Sequence, residues 1–166
     1  MSNVSNIIQK LGLLPHPEGG FYKEVYRSEG KHPFAGTLDF PQQRNYCTSI
    51  YFLLTAGNFS AFHRIRSDET WHFYDGQPAQ IVEIDLEGKL ILTTLGSDLE
   101  NGQVFQYTVA AGHWFGSSVL GNGDYSLTGC TVAPGFDFRD FELADRDELL
   151  SKYPDHQDVI IKFTRK

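Results

Sequence analysis

Residues 57–76 read Gly57-Asn58-Phe59-Ser60-Ala61-Phe62-His63-Arg64-Ile65-Arg66-Ser67-Asp68-Glu69-Thr70-Trp71-His72-Phe73-Tyr74-Asp75-Gly76. Two short runs rich in aromatic and apolar residues predict consecutive strands, Ser60 to Ile65 and Glu69 to Tyr74. Side chains alternate across a strand, so Ala61, His63 and Ile65 share one face of the first, and Glu69, Trp71 and Phe73 one face of the second. If the strands pair with those faces inward, an imidazole and a carboxylate meet inside an aromatic-walled cavity. His72 then points the other way, into a structural or interface role.

The same texture extends outward. Phe21 to Tyr26, Thr48 to Leu54, Ala79 to Asp85, Leu90 to Leu95, Val104 to Val109, His113 to Ser117, Ser126 to Val132 and Asp137 to Leu143 are further short β-rich segments, separated by Gly, Pro, Asn or Asp. About ten such strands predict an all-β sandwich or barrel. Leu86-Glu87-Gly88-Lys89 marks a hairpin turn, and the lack of βαβ alternation excludes a doubly wound nucleotide-binding sheet. Short helices flank the strands. One starts near Asn3 or Ser5, carries Ile7, Ile8 and Leu11 on one side and stops at Gly12. The other starts at Asp145, with Glu148 three residues on as in a capping box, and ends at Tyr153-Pro154. The tail Asp158 to Thr164 fits helix or strand. No repeat, low-complexity tract or linker divides the chain, so residues 1–166 are expected to form a single domain.

The length of 166 residues with 40% hydrophobic content supports one core, and 13 Phe, 8 Tyr and 2 Trp against a single Met favour β structure over a helical bundle. The net charge of −7 gives no general attraction for nucleic acid or anionic membranes, so neither is an expected partner. That excess lies wholly in residues 83–166. The electroneutral first half keeps Arg27, Arg44, Arg64 and Arg66, side chains suited to gripping a carboxylate or phosphate as well as to ordinary surface ion pairs. The polar start of the chain fits no signal peptide and no apolar run reaches membrane-spanning length, which gives a cytoplasmic expectation. Cys47 and Cys130 form no Cys-x-x-Cys pair and are expected to be buried thiols.

The spacing of Gly57, His63, Glu69 and Gly76 resembles the first motif of the cupin superfamily, with Ile65 where a second histidine would stand. Val109-Ala110-Ala111-Gly112-His113-Trp114-Phe115 resembles a degenerate second motif, with Ala110 for its proline and Phe115 for its histidine. Leu14-Pro15-His16-Pro17-Glu18-Gly19-Gly20-Phe21-Tyr22, Thr48 to Leu54, Glu69 to Phe73 and Gly129 to Phe136 further resemble the small single-domain cupins of family five, a group of unknown function. The resemblance implies a double-stranded β-helix, often a homodimer, similar in structure to sugar-nucleotide epimerases and seed storage domains. It supplies no reaction.

Three readings of the site follow. In the first, His63 is a general base oriented by Glu69, with Tyr51, Tyr74 or Tyr22 as acid, in an isomerase or epimerase acting on a sugar derivative or related carbonyl compound. Arg44, Arg66, Trp71, Phe73 and Phe115 are then expected to bind a small polar, even anionic, molecule. In the second, the same cavity binds or senses a ligand without turnover. In the third, His63, Glu69 and His113 hold a divalent metal ion; His113 lies two residues before Phe115 and so faces the same way. His16 to Gly20 and Ala133 to Phe136 are read as turns, although the glycine pair also permits close backbone approach to a ligand.

Overall fold

The computed structural model describes residues 3–33, 40 and 42–166. Helix α1 (Asn3–Leu11) leads into β1 (Leu14–Pro15), β2 (Phe21–Arg27), β3 (Lys31–His32), β4 (Arg44–Asn45) and β5 (Thr48–Thr55). Next come β6 (Phe59–Arg64), β7 (Asp68–Gly76), β8 (Ala79–Ile84), β9 (Leu90–Leu95), β10 (Gln106–Val109), β11 (Trp114–Val119) and β12 (Tyr125–Ala133). β13 (Glu142–Leu143), α2 (Arg146–Lys152) and α3 (Gln157–Phe163) complete the chain.

The strands form two antiparallel sheets, of order β1-β2-β5-β12-β7-β10 and β13-β6-β11-β8-β9, with β3 and β4 a separate pair. Consecutive strands β5 and β6, β7 and β8, and β11 and β12 lie in opposite sheets, so the chain winds around a shared interior as the jelly roll expected for a double-stranded β-helix. The quoted strands β6 and β7 therefore do not pair. They face each other across the interior, and His63 and Glu69 approach from opposite sheets.

Three apolar clusters hold this arrangement. Phe52, Leu54, Trp71, Ile81, Leu95 and Phe115 fill the space between the sheets. Phe62, Ile84 and Trp114 on the outer face of the five-stranded sheet are covered by Leu149, Ile160 and Phe163 of α2 and α3. Val4, Ile7, Ile8 and Leu11 of α1 cover Leu53 and Tyr125 on the outer face of the other. The ambiguous tail is thus a helix, because Ile160 and Phe163 bury against strands already complete. Asp145 caps α2, its side chain accepting from the Glu148 amide at 3.0 Å. The variant Asp145→Ala is expected to lose about 1 kcal/mol, read as a lower urea midpoint with unchanged slope.

One strand expectation fails. Asp137 to Leu143 is a 3₁₀ turn (Phe138–Asp140) followed by the two residues of β13, because the Asp137 carboxylate accepts from the Arg139 amide and curls the chain. Cys130 is buried and Cys47 only half-buried, and both are free thiols. No helix among the described residues is long and apolar enough to cross a membrane.

Candidate active site

A cavity of about 470 Å³ opens at one end of the interior. Its walls come mainly from the inner face of the six-stranded sheet: Tyr22 and Glu24 of β2, Thr48, Ile50 and Phe52 of β5, Glu69 of β7, and Cys130 and Val132 of β12. His63 reaches in from β6, His16 and Glu18 from the turn before β2, and Phe136, Asp137 and Phe138 from the segment after β12.

His63, 2% exposed, forms the centre of the site. Its Nδ1 lies 2.8 Å from the carbonyl oxygen of Ala61, which can only accept, so Nδ1 carries a proton. Nε2 is then the free nitrogen of the neutral ring, and it faces Glu18 Oε2 at 3.1 Å. The other Glu18 oxygen accepts from Ser60 Oγ at 2.8 Å. Burial lowers the His63 pKa and raises that of Glu18, so one proton is shared along this axis and the pair is neutral. Beneath the imidazole, Phe115 packs with ring centroids 4.1 Å apart, and Phe141 stacks beside it at 5.2 Å.

Glu69 supplies a second carboxyl. Burial pushes its pKa up to about 7, with Glu18 adding to the rise while His63 and a hydrogen bond from Cys130 oppose it. The Cys130 thiol is itself raised well above its ordinary range, chiefly by burial, and is inert. A carboxyl acid titrating near neutrality beside a neutral imidazole is the arrangement proton transfer requires.

Glu18 and His16 belong to a segment read from sequence as a turn. It is one, and it also builds the site. Gly19 and Gly20 adopt φ of 116° and 75°, and a Cβ at Gly19 would sit 2.2 Å from the Phe59 carbonyl oxygen. That close approach lets the Ala61 amide donate to the Glu18 carbonyl at 2.8 Å, fixing Glu18 against β6. The Arg165 guanidinium, 4.3 Å over Phe59, also donates to the Glu18 carbonyl.

Arg27 stands at the mouth because β2 has a bulge between Glu24 and Tyr26 that returns position 27 to the face of Tyr22 and Glu24. It donates to both Glu24 oxygens, at 2.9 and 2.7 Å, to Asn45 Oδ1 and to the Phe136 carbonyl.

Several expected site residues lie elsewhere. Tyr51 alternates with the inward Ile50 and Phe52, so it faces outward; Tyr74 joins it at 6.0 Å, lying over Gly129 on the outer face. Tyr22 is the tyrosine that lines the cavity, edge-on to His16 at 4.7 Å. Trp71, Phe73 and Phe115 belong to the interior cluster behind the wall, since Trp71 and Phe73 lie two and four residues beyond Glu69, about 7 and 13 Å deeper. Arg44 is buried in a two-pronged pair with Asp140, at 2.6 and 2.7 Å. Arg66 lines a different cavity. His72 bonds Thr131 Oγ1 on the outer face, as its parity demands.

The metal set does not assemble. His113 faces inward, but its Nδ1 is taken by Glu83 Oε1, whose other oxygen accepts from Tyr107 at 2.6 Å. That contact and burial, with burial the larger cause, push the Tyr107 pKa up to about 12. Among the described residues no three His, Cys, Asp or Glu side chains are placed to hold a metal ion.

Residues 5–144 match the family described as "Cupin superfamily (DUF985)". A hypothetical protein from Leishmania major superposes with a TM-score of 0.92 at 38% identity, covering 99% of this chain and 100% of that one. Protein SO0799 from Shewanella oneidensis superposes with a TM-score of 0.87 at 44% identity, covering 99% of each chain. The uncharacterized protein YML079W of Saccharomyces cerevisiae is 32% identical over 159 residues, 89% of this chain and 79% of its own length.

Proposed function

We propose, for a chain that belongs to the DUF985 family of the cupin superfamily, that the cavity binds a small polar carbonyl compound and moves a proton on it, as an isomerase or epimerase does. The observation that carries this reading is one buried imidazole between two buried carboxyls at the wall of a cavity of about 470 Å³. In the proposed step Glu18 accepts the proton from the carbon next to the substrate carbonyl while passing its own to His63 Nε2, and the C–H electron pair forms the C=C bond of an enediolate whose negative charge moves onto the carbonyl oxygen. Glu69, titrating at about 7, holds a proton to return to the neighbouring carbon or to the opposite face. No net oxidation occurs. Tyr22 and Thr48 offer hydroxyls for orientation, and Ile50, Phe52 and Val132 supply an apolar wall.

The ligand reading shifts with the arginines. An anionic molecule rested on Arg44 and Arg66, and neither lines this cavity. Arg27 is the one Arg or Lys among the described lining residues and is already bound to Glu24, which favours a neutral polyhydroxylated compound. The test is solvent-deuterium incorporation, followed by proton NMR, across a panel of aldoses, ketoses and keto sugars. A turned-over compound should exchange at carbon, and Glu69→Gln or His63→Asn should each slow exchange by about 10²–10⁴-fold. A compound that binds in this cavity yet never exchanges would leave a binding module without turnover; variants exchanging at the native rate would remove the proposed roles.

A further inference from the structure

We propose that His16 is the hydrogen-bond donor for the substrate's carbonyl oxygen, its Nε2–H stabilising the negative charge that gathers there as the neighbouring carbon loses its proton. The inference rests on the proton-transfer reading of this cavity and names the group that meets the oxygen.

His16 is fixed by its own turn. Its amide donates to the Gly20 carbonyl and its carbonyl accepts from the Gly19 amide, both at 3.0 Å, and Pro17 after it narrows its backbone choices further. The ring is held on several sides. Tyr22 lies edge-on at 4.7 Å, Phe138 stacks at 6.0 Å with 26° between the planes, and Phe52 and Phe141 stand edge-on at 6.1 and 6.0 Å. The side chain is 7% exposed and lines the cavity.

Hydrogen bonding assigns the ring proton. The Glu18 amide donates to His16 Nδ1 at 3.3 Å. An amide N–H only donates, so Nδ1 carries the lone pair and the neutral ring carries its proton on Nε2. Burial lowers the His16 pKa below its ordinary 6.5, an effect that Glu18 opposes and His63 reinforces, so the ring is neutral at pH 7. Nε2 has no hydrogen-bond partner among the described residues. It is also absent from the fully sealed, unpartnered side-chain polar atoms there, which are Trp71 Nε1, Ser117 Oγ and Ser126 Oγ. Nε2–H is therefore an unspent donor open to the cavity.

Its place suits the proposed step. Glu18 Oε2 stands 3.4 Å from His16 Nδ1 and 3.1 Å from His63 Nε2, so both imidazoles border the carboxyl that takes the substrate proton. They are opposite tautomers: His63 is protonated on Nδ1 and presents Nε2 as an acceptor, whereas His16 presents Nε2–H as a donor. As the C–H bond breaks, its proton goes to Glu18, its electron pair forms the C=C bond, and the carbonyl π pair becomes a lone pair on the oxygen that Nε2–H meets. His16 gives up no proton, and a fixed neutral donor needs no reorganisation as the charge develops.

The test uses the whole protein with nitrogen-15-labelled imidazoles and glycolohydroxamate, a two-carbon mimic of an enediolate, as probe. Without the probe, His16 should be neutral at pH 7 with Nε2 protonated; saturating probe should move its Nε2–H proton downfield. The variant His16→Asn keeps an acceptor for the Glu18 amide but has no donor at Nε2, and should weaken the probe about tenfold or more. His16→Gln, whose amide nitrogen reaches that position, should restore most of the affinity. On any compound that exchanges at carbon, His16→Asn should lower kcat about 10²–10³-fold with KM little changed. The native-protein signals decide the matter if the variants do not fold. A probe that engages Nε2–H on a protein that exchanges no compound would uphold the donor and remove the proton-transfer reading. An Nε2 without a proton at pH 7, a His16 signal unmoved by the probe, or undiminished affinity in His16→Asn would overturn the proposal.

Discussion

The variant Glu69→Gln is expected to remove a fall in stability of about 3 kcal/mol that the native protein shows as pH rises from about 4.5 to about 7. The sign follows from proton binding. An unfolded chain loses the Glu69 proton near 4.5, whereas the folded chain keeps it to about 7. Across that window the folded state binds more protons, so the contribution is fully present below 4.5 and gone above 7. Glu18, also raised by burial, acts in the same direction. His63 and His16, both lowered chiefly by burial, act oppositely: the unfolded chain takes up their protons below 6.5, so acid destabilises the fold through them. Urea unfolding of native protein and variant at pH 4 and pH 8 isolates the Glu69 part as a difference of differences. A difference near zero would mean that Glu69 ionises as an ordinary surface carboxylate.

Loss of Asp140 is expected to be the most damaging single change outside the cavity. Arg44 is 2% exposed, and besides Asp140 it donates to the Gln42 and Gln43 carbonyls, at 2.9 and 3.0 Å. Asp140→Ala leaves that guanidinium buried without its counter-charge, at a cost of about 3–5 kcal/mol, a large share of the stability of an ordinary domain. Replacing both partners, as Arg44→Met with Asp140→Leu, should recover most of the loss, because the penalty belongs to the orphaned charge rather than to the absent attraction. The reading is the urea midpoint at pH 7; a single variant as stable as the native protein would contradict it.

How much of this was legible depends on whether the information was local. His63 and Glu69 were found because alternation and motif spacing place them on inward faces, and no distant residue changes that parity. The same rule placed His72 outward. It failed at Tyr51, where Ile50, Tyr51, Phe52 and Leu53 are all apolar or aromatic; α1 covers the outer face, so both faces are buried and hydropathy gives no phase. A bulge erases parity altogether: the one in β2 brings Arg27 to the cavity, whereas Tyr74 keeps the outward parity of His72 and lies over Gly129. Arg44 could not be told from a ligand-gripping arginine because its partner Asp140 lies 96 positions away. His113 had the right face and the wrong neighbour, since Glu83 on the adjoining strand claims it. Glu18 was the largest omission. The visible signal was Gly19-Gly20 directly after it, a pair that permits the contact with Phe59 through which the turn reaches the barrel.

The central claim is that His63 is a neutral imidazole sharing a proton with Glu18 beside a Glu69 that titrates near neutrality. Carboxyl-carbon and imidazole-nitrogen NMR on the ligand-free protein tests it directly, because it reads each group without needing a substrate. A Glu69 midpoint of about 7 is expected, with a His63 ring that keeps its proton on Nδ1 and a pKa lowered from 6.5 by burial. A Glu69 midpoint near 4.5, or a His63 ring that becomes imidazolium at 6.5, would contradict it.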